Sequence, residues 1–167
     1  MKSSRKVMIQ PARAVSKLRV VLGIGFFAVL VFGSFASQIA AAPPVLAGKG
    51  IARENARLTT KELVDQGYVI RGDSWSGEAL VGGRVGIRHQ LFKGNEYVFT
   101  LGTAIPVEFQ MAIFTKNREP LQGEMKTSPE TLSIRVNPTE TGTYLIVFTL
   151  TSETKERIPW ALVYAYR

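Results

Sequence analysis

A mainly β protein, a small antiparallel β-sandwich or jelly roll over residues 67–167, is predicted by three observations. After Gly67 the apolar residues recur with a period of two, the spacing that places alternate side chains of a strand on one face. The turn signals Lys93-Gly94-Asn95, Asn117-Arg118-Glu119-Pro120 and Asn137-Pro138 divide this region into short segments. No amphipathic helical pattern lies among them, and short strands separated by such turns indicate a sandwich or small barrel. An N-terminal hydrophobic signal or anchor helix (1–47) and a short polar spacer (48–66) precede the sandwich in this reading.

The N-terminal segment explains most of the charge. The chain has a formal net charge of +8, yet Lys2, Arg5, Lys6, Arg13, Lys17 and Arg19 all precede Val20 and every acid follows it. The remainder is close to balanced, so the basicity belongs to an address and not to a nucleic-acid footprint. No charge interrupts Val20 to Gly48. A basic region, an apolar core from Val20 to Phe35, then small residues and Pro43-Pro44 form the layout of a secretory signal. The core of about 16 residues is long for a signal and short for a span of about 20. Cleavage after Ala36 or Ala47 has small residues at the required positions, whereas a permanent anchor could use the uncharged stretch to Gly48. Dilution by Gly, Ser and Ala from Gly33 onward favours cleavage. Membrane contact through residues 20–42 is expected before cleavage or without it.

Residues 48–66 are charged on both signs and poor in large apolar side chains, which reads as a solvated spacer. Thr59 followed by Glu62 is a capping-box pattern for one short helix, with Gly67 as its stop. Beyond Gly67, Val85 and Ile87 alternate with Gly86 and Arg88. Tyr97, Phe99 and Leu101 alternate with Val98 and Thr100; Val107, Phe109, Met111 and Ile113 with Glu108 and Gln110; Leu132, Ile134 and Val136 with Ser133 and Arg135. Tyr144 to Leu150 and Trp160 to Tyr166 are apolar or small on both parities, as in strands that are central or covered on both faces. About 120 residues after the N-terminal segment suffice for one compact domain, and its final strand, ending at Tyr166-Arg167, is expected to contribute buried area.

Glu140-Thr141-Gly142-Thr143-Tyr144 before Leu145-Ile146-Val147-Phe148 resembles the tyrosine-corner turn of immunoglobulin-like sandwiches, in which the phenol bonds back to the backbone. Ile146 stands where an antibody domain carries cysteine, so a true antibody-type domain is not expected. Together with Leu91-Phe92-Lys93-Gly94-Asn95-Glu96-Tyr97-Val98-Phe99 and the strand through Met111 and Ile113, the motif is similar to the bacterial prepeptidase C-terminal (PPC-like) domain over roughly residues 82–167. That resemblance implies a small sandwich with roles in secretion or substrate binding and no catalysis.

Reactive groups are few. There is no cysteine and one histidine, so disulfides, thiol chemistry and the usual zinc ligand sets are excluded. His89 shares the parity of Val85 and Ile87 and reads as a hydrogen-bonded strand-end histidine. Ser74, Ser76 and Ser128 lack the strained Gly-x-Ser-x-Gly turn that presents a nucleophile. Asp73 with Glu78, and Asn95 with Glu96, offer oxygen ligands in loops without an EF-hand pattern. Glu108 with Glu124 or Glu130 could form a carboxylate pair only if the fold brought them together. No metal site and no cofactor is predicted.

Two aromatic residues are the candidate ligand-binding positions. Trp75 sits in Gly72-Asp73-Ser74-Trp75-Ser76-Gly77, a polar setting in which the ring either stacks on a ligand or folds over the end of the core. Phe114 falls on the wet parity of its strand, at a sheet edge or on a contact surface. Trp160 is assigned to the core. The sequence thus predicts an exported, non-catalytic module of the envelope or the extracellular space that binds a protein or glycan component and no nucleic acid. A small secreted hydrolase using carboxylates or His89, and a structural component assembling through strand edges, are the alternatives.

Overall fold

The computed structural model describes residues 44–153 and 156–167. The expected signal or anchor (1–47) lies outside them except for its last four positions; among the described residues, no helix is long and apolar enough to cross a membrane. The elements are α1 (Pro44–Lys61), a 3-10 turn (Val64–Gln66), β1 (Val69–Ile70), β2 (Trp75–Leu80), β3 (Arg84–Leu91), β4 (Tyr97–Thr103), β5 (Glu108–Phe114), β6 (Gly123–Thr127), β7 (Thr131–Val136), β8 (Gly142–Thr151) and β9 (Arg157–Tyr166).

The strands form two antiparallel sheets. The larger runs β1-β9-β4-β7-β6, with β2 also paired to β9. The smaller runs β3-β8-β5. Their inner faces meet in one core, to which sheet one contributes Phe99, Leu101, Ile134, Leu162 and Trp160, and sheet two Ile87, Ile113, Ile146, Phe148 and Leu150. Burial of each such side chain stabilises the fold by about 1.5–3 kcal/mol. The alternation anticipated in β3, β5 and β7 is present: Met111 and Ile113 are buried while Glu108 and Gln110 are exposed. The tyrosine corner is also formed, with Tyr144 Oη donating to the Glu140 carbonyl at 2.9 Å.

The polar-spacer reading of 48–66 is corrected. Residues 44–61 form an 18-residue helix that packs on the outer face of the larger sheet. Thr59 does not cap its start but lies near its C-terminal end, donating to the Asn55 carbonyl one turn back. The helix crosses the strands on a ridge of small residues: Gly48 against Pro159 of β9, then Ala52 and Ala56 against Gly102 of β4. Asn55 Nδ2 donates to the Thr103 carbonyl at 2.8 Å, and the Thr59 hydroxyl lies 3.4 Å from that of Thr131 at the start of β7. Gly67, with φ 85°, ends the following 3-10 turn, where a left-handed conformation favours glycine.

Helix α1 accounts for the fully buried pattern of β4 and for most of β9. Leu63, Tyr68, Val98 and Ala165 form a second small core beneath the chain that follows α1. Sheet two has no such layer among the described residues. Its central strand β8 is apolar on both parities, yet Leu145 on the outer side remains 36% exposed.

Candidate functional site

The uncovered face of the smaller sheet presents a cavity of about 500 Å³. Register builds it. Ala112 lies opposite Val147, and Phe114 opposite Leu145, across the β5–β8 pair; Gly86 lies opposite Val147, and Arg88 opposite Leu145, across the β3–β8 pair. An apolar strip of Ala112, Phe114, Leu145 and Val147 therefore runs down the middle of the face. Gly86 keeps its β3 side low, since a Cβ there would come within 3.5 Å of Leu145 Cδ1.

Arginines flank the strip on both sides. Arg84 and Arg88 project from β3, and Arg118 comes from the turn after β5. Arg118 holds a left-handed backbone conformation, φ 66°, in a turn closed by its N–H on the Thr115 carbonyl at 3.0 Å. Among the described residues none of these three guanidiniums forms an ion pair or a hydrogen bond. Arg71, Arg135 and Arg167 are instead paired with Asp73, Glu124 and Glu96 respectively.

The two aromatic candidates are separated. Phe114 lies on the open face, half-buried and lining the cavity. Trp75 is not on a flexible loop: it opens β2, pairs with Leu162 and packs against the core. Its ring meets His89 edge-on at 5.0 Å and Tyr164 at 5.7 Å. The reading of Trp75 as a ring folded over the end of the core describes this geometry. Trp160 is buried against Phe148 at 4.9 Å.

His89 faces a second cleft of about 320 Å³ between the two sheets, lined also by Arg71, Phe92, Asn95, Tyr164 and Tyr166. Nearby, Asp73 accepts from Tyr164 Oη at 3.1 Å and from Arg71 Nε at 3.2 Å. Burial pushes the His89 imidazole below the ordinary histidine range; Asp73 pulls the other way and Arg71 adds to the depression. Burial opposes ionisation of Asp73, but its own backbone, Tyr164 and Arg71 outweigh it and lower its pKa. His89 was expected to be hydrogen-bonded, yet neither ring nitrogen has a protein partner among the described residues; it is held by aromatic packing instead. No serine lines the cleft, so the hydrolase triad is not assembled there.

Of the other carboxylates, Glu96 is committed. Glu96 accepts from the Tyr68 phenol and from Arg167 Nη2 at 2.9 Å. The Tyr68 hydrogen bond lowers its pKa first, burial opposes this, and Arg167 and Arg135 add to the lowering. Glu108 belongs to β5 of one sheet and Glu124 to β6 of the other, and Glu124 faces Arg135 at 3.7 Å. Among the described residues, no group of three or more His, Cys, Asp or Glu could hold a metal ion.

No protein-family model matches the chain, and no curated protein matches it. Among solved structures, the chain is similar to Aeromonas hydrophila PliG, a periplasmic lysozyme inhibitor of g-type lysozyme, with a TM-score of 0.42 and 14% identity over 57% of this chain and 85% of that one. A likeness of that extent carries no functional argument.

Proposed function

We infer that this chain is an exported, non-catalytic module that docks an acidic, partly apolar protein through the outer face of its smaller sheet. The observation that carries the reading is the contrast between the two sheets. The central strands β4 and β9 of the larger sheet are covered on the outside by α1, while the smaller sheet leaves Phe114, Leu145 and Val147 in a cavity lined by Arg84 and Arg118, with Arg88 opposite Leu145 on the same face, and no carboxylate of the described chain pairs with these arginines. A contiguous apolar patch rimmed by polar groups is the pattern of an interaction site. Three arginines border this face against one strand carboxylate, Glu108 on β5, so an acidic surface is complementary to it. Export is supported by the basic N-terminus and the uncharged run to Gly48. A non-catalytic role is supported by the cleft at His89, whose lining contains no serine.

A photoreactive phenylalanine analogue at position 114, in cells producing the full chain, tests this. A covalent adduct with a second, acidic protein is expected, with none from the same analogue at Leu58, which is exposed on α1. Arg84→Glu with Arg88→Glu abolishes the adduct, and added salt weakens the isolated complex. Equal adducts from position 58, adducts with this chain alone, or indifference to the charge reversal would overturn the reading.

A further inference from the structure

The cleft at the mouth of the sandwich is separate from the docking face and has a different chemistry. His89 of β3 faces Tyr164 of β9, ring centroids 4.6 Å apart, with Trp75 packed against both. At the lip, Phe92 is 52% exposed, and Tyr166 offers a second partly open ring.

The polar groups around these rings have unused hydrogen-bonding capacity. The Asn95 amide nitrogen donates to Tyr97 Oη at 3.2 Å, which leaves its carbonyl oxygen without a protein donor. The neutral imidazole adds one donor and one acceptor with no protein partner among the described residues. Charge is compensated locally, because Arg71 already holds Asp73 at 3.2 Å.

We propose that this cleft binds a neutral saccharide. Its volume of about 320 Å³ falls at the small end of the roughly 300–1,000 Å³ typical of ligand pockets. A purely apolar ligand would strip water from Asn95 and His89 without replacing their hydrogen bonds. An anionic ligand would find its one cation already paired. A sugar satisfies both conditions: its C–H face lies on Phe92 or Tyr166, and its hydroxyls, each donor and acceptor, meet the Asn95 amide and the imidazole.

The full chain is titrated with neutral trisaccharides of glucose, mannose and N-acetylglucosamine, and with a trigalacturonate control, following tryptophan emission and backbone amide NMR shifts. At least one neutral trisaccharide binds below about 10 mM, shifts the amides of His89 to Asn95 and changes the emission of Trp75. Phe92→Ala weakens that binding about five- to tenfold without moving the thermal midpoint, because the ring is half exposed. Trp75→Phe removes the emission change, and where it also perturbs the fold the amide shifts of the parent chain decide. No neutral sugar binding in this range, preference for trigalacturonate, shifts confined to Ala112–Phe114, or an unchanged affinity in Phe92→Ala would each overturn the proposal.

Discussion

At the scale of single residues, two half-buried titrating groups give the fold a two-stage response to acid. His89 has a lowered folded pKa because burial disfavours its cation, while the unfolded chain protonates it at about 6.5. The unfolded state therefore binds more protons as pH falls through that value, and stability declines from about pH 6.5 downward until the folded pKa is passed. Glu96 also has a lowered folded pKa. Its contribution is complete above the unfolded value of about 4.3 and is lost as pH falls below it. His89→Gln should abolish the upper part of the decline and leave the lower part. Glu96→Gln should flatten the lower part and cost about 1–3 kcal/mol at neutral pH, since it removes the charge from a site joining Tyr68, Arg167 and Arg135. Urea denaturation from pH 8 to pH 3 measures both, and parallel curves for parent and variants would refute the assignment. Neither environment was legible in the sequence. The parity of His89 with Val85 and Ile87 gave its inward direction, but its aromatic neighbours Trp75 and Tyr164 come from β2 and β9, strands of the other sheet. Glu96 read as a loop carboxylate because its partners lie 28 and 71 positions away.

At the scale of elements, the strands were legible and the helix was not, and the cause is the kind of contact each makes. Strands β3, β5 and β7 put large apolar residues on one parity, so their dry faces appear directly in the sequence. Helix α1 buries Ala52, Ala56 and Thr60, and the close approach to Gly102 requires the smallness of the first two. A helix packed through small residues has little hydrophobic periodicity, while its exposed Arg53, Glu54 and Arg57 make the segment look like a spacer. The doubly apolar β9 was the one trace of its presence, because a strand dry on both sides needs a cover. The interface leads to opposite outcomes for two glycine substitutions. A Cβ at Gly102 would lie 2.9 Å from the Ala56 backbone nitrogen and closer still to the Ala52 carbonyl, so Gly102→Ala forces helix and sheet apart and costs about 1–3 kcal/mol. Gly50 is exposed within the helix with nothing near its missing Cβ, so Gly50→Ala gains about 0.5–1 kcal/mol in helix propensity. Denaturant midpoints should move in opposite directions; a neutral Gly102→Ala would mean that α1 is not seated on β4 as described.

At the scale of the whole molecule, the two outer faces of the sandwich divide stability from recognition. On the larger sheet the outer residues of β4 and β9 are core in all but name: Val98, Thr100 and Ala165 are as well buried as the interior, and nothing on these two strands can meet a partner without displacing α1. On the smaller sheet, β8 carries an equally apolar outer parity, yet Leu145 stays exposed and Phe114 and Val147 half-buried. The sequence placed Phe114 on the wet parity of its strand, which was enough to single it out. It did not reveal that Leu145 and Val147 extend the same patch, because a doubly apolar strand signals a cover without saying whether this chain supplies it. Opposite consequences follow for a charge placed on each face. Ala56→Glu buries an unpaired carboxylate between α1 and β4 and should cost about 3–5 kcal/mol, enough to unfold a domain whose net stability is about 5–15 kcal/mol or to leave it marginal. Phe114→Asp with Leu145→Asp puts two carboxylates on a face already open to water and beside arginines, so the denaturation midpoint should stay within about 1 kcal/mol of the parent. The same double variant removes the apolar strip and neutralises the guanidiniums, so it should lose the acidic partner while remaining folded. A large loss of stability in the double variant would show that the smaller sheet's outer face is structural, and the division of roles between the two faces would then be wrong.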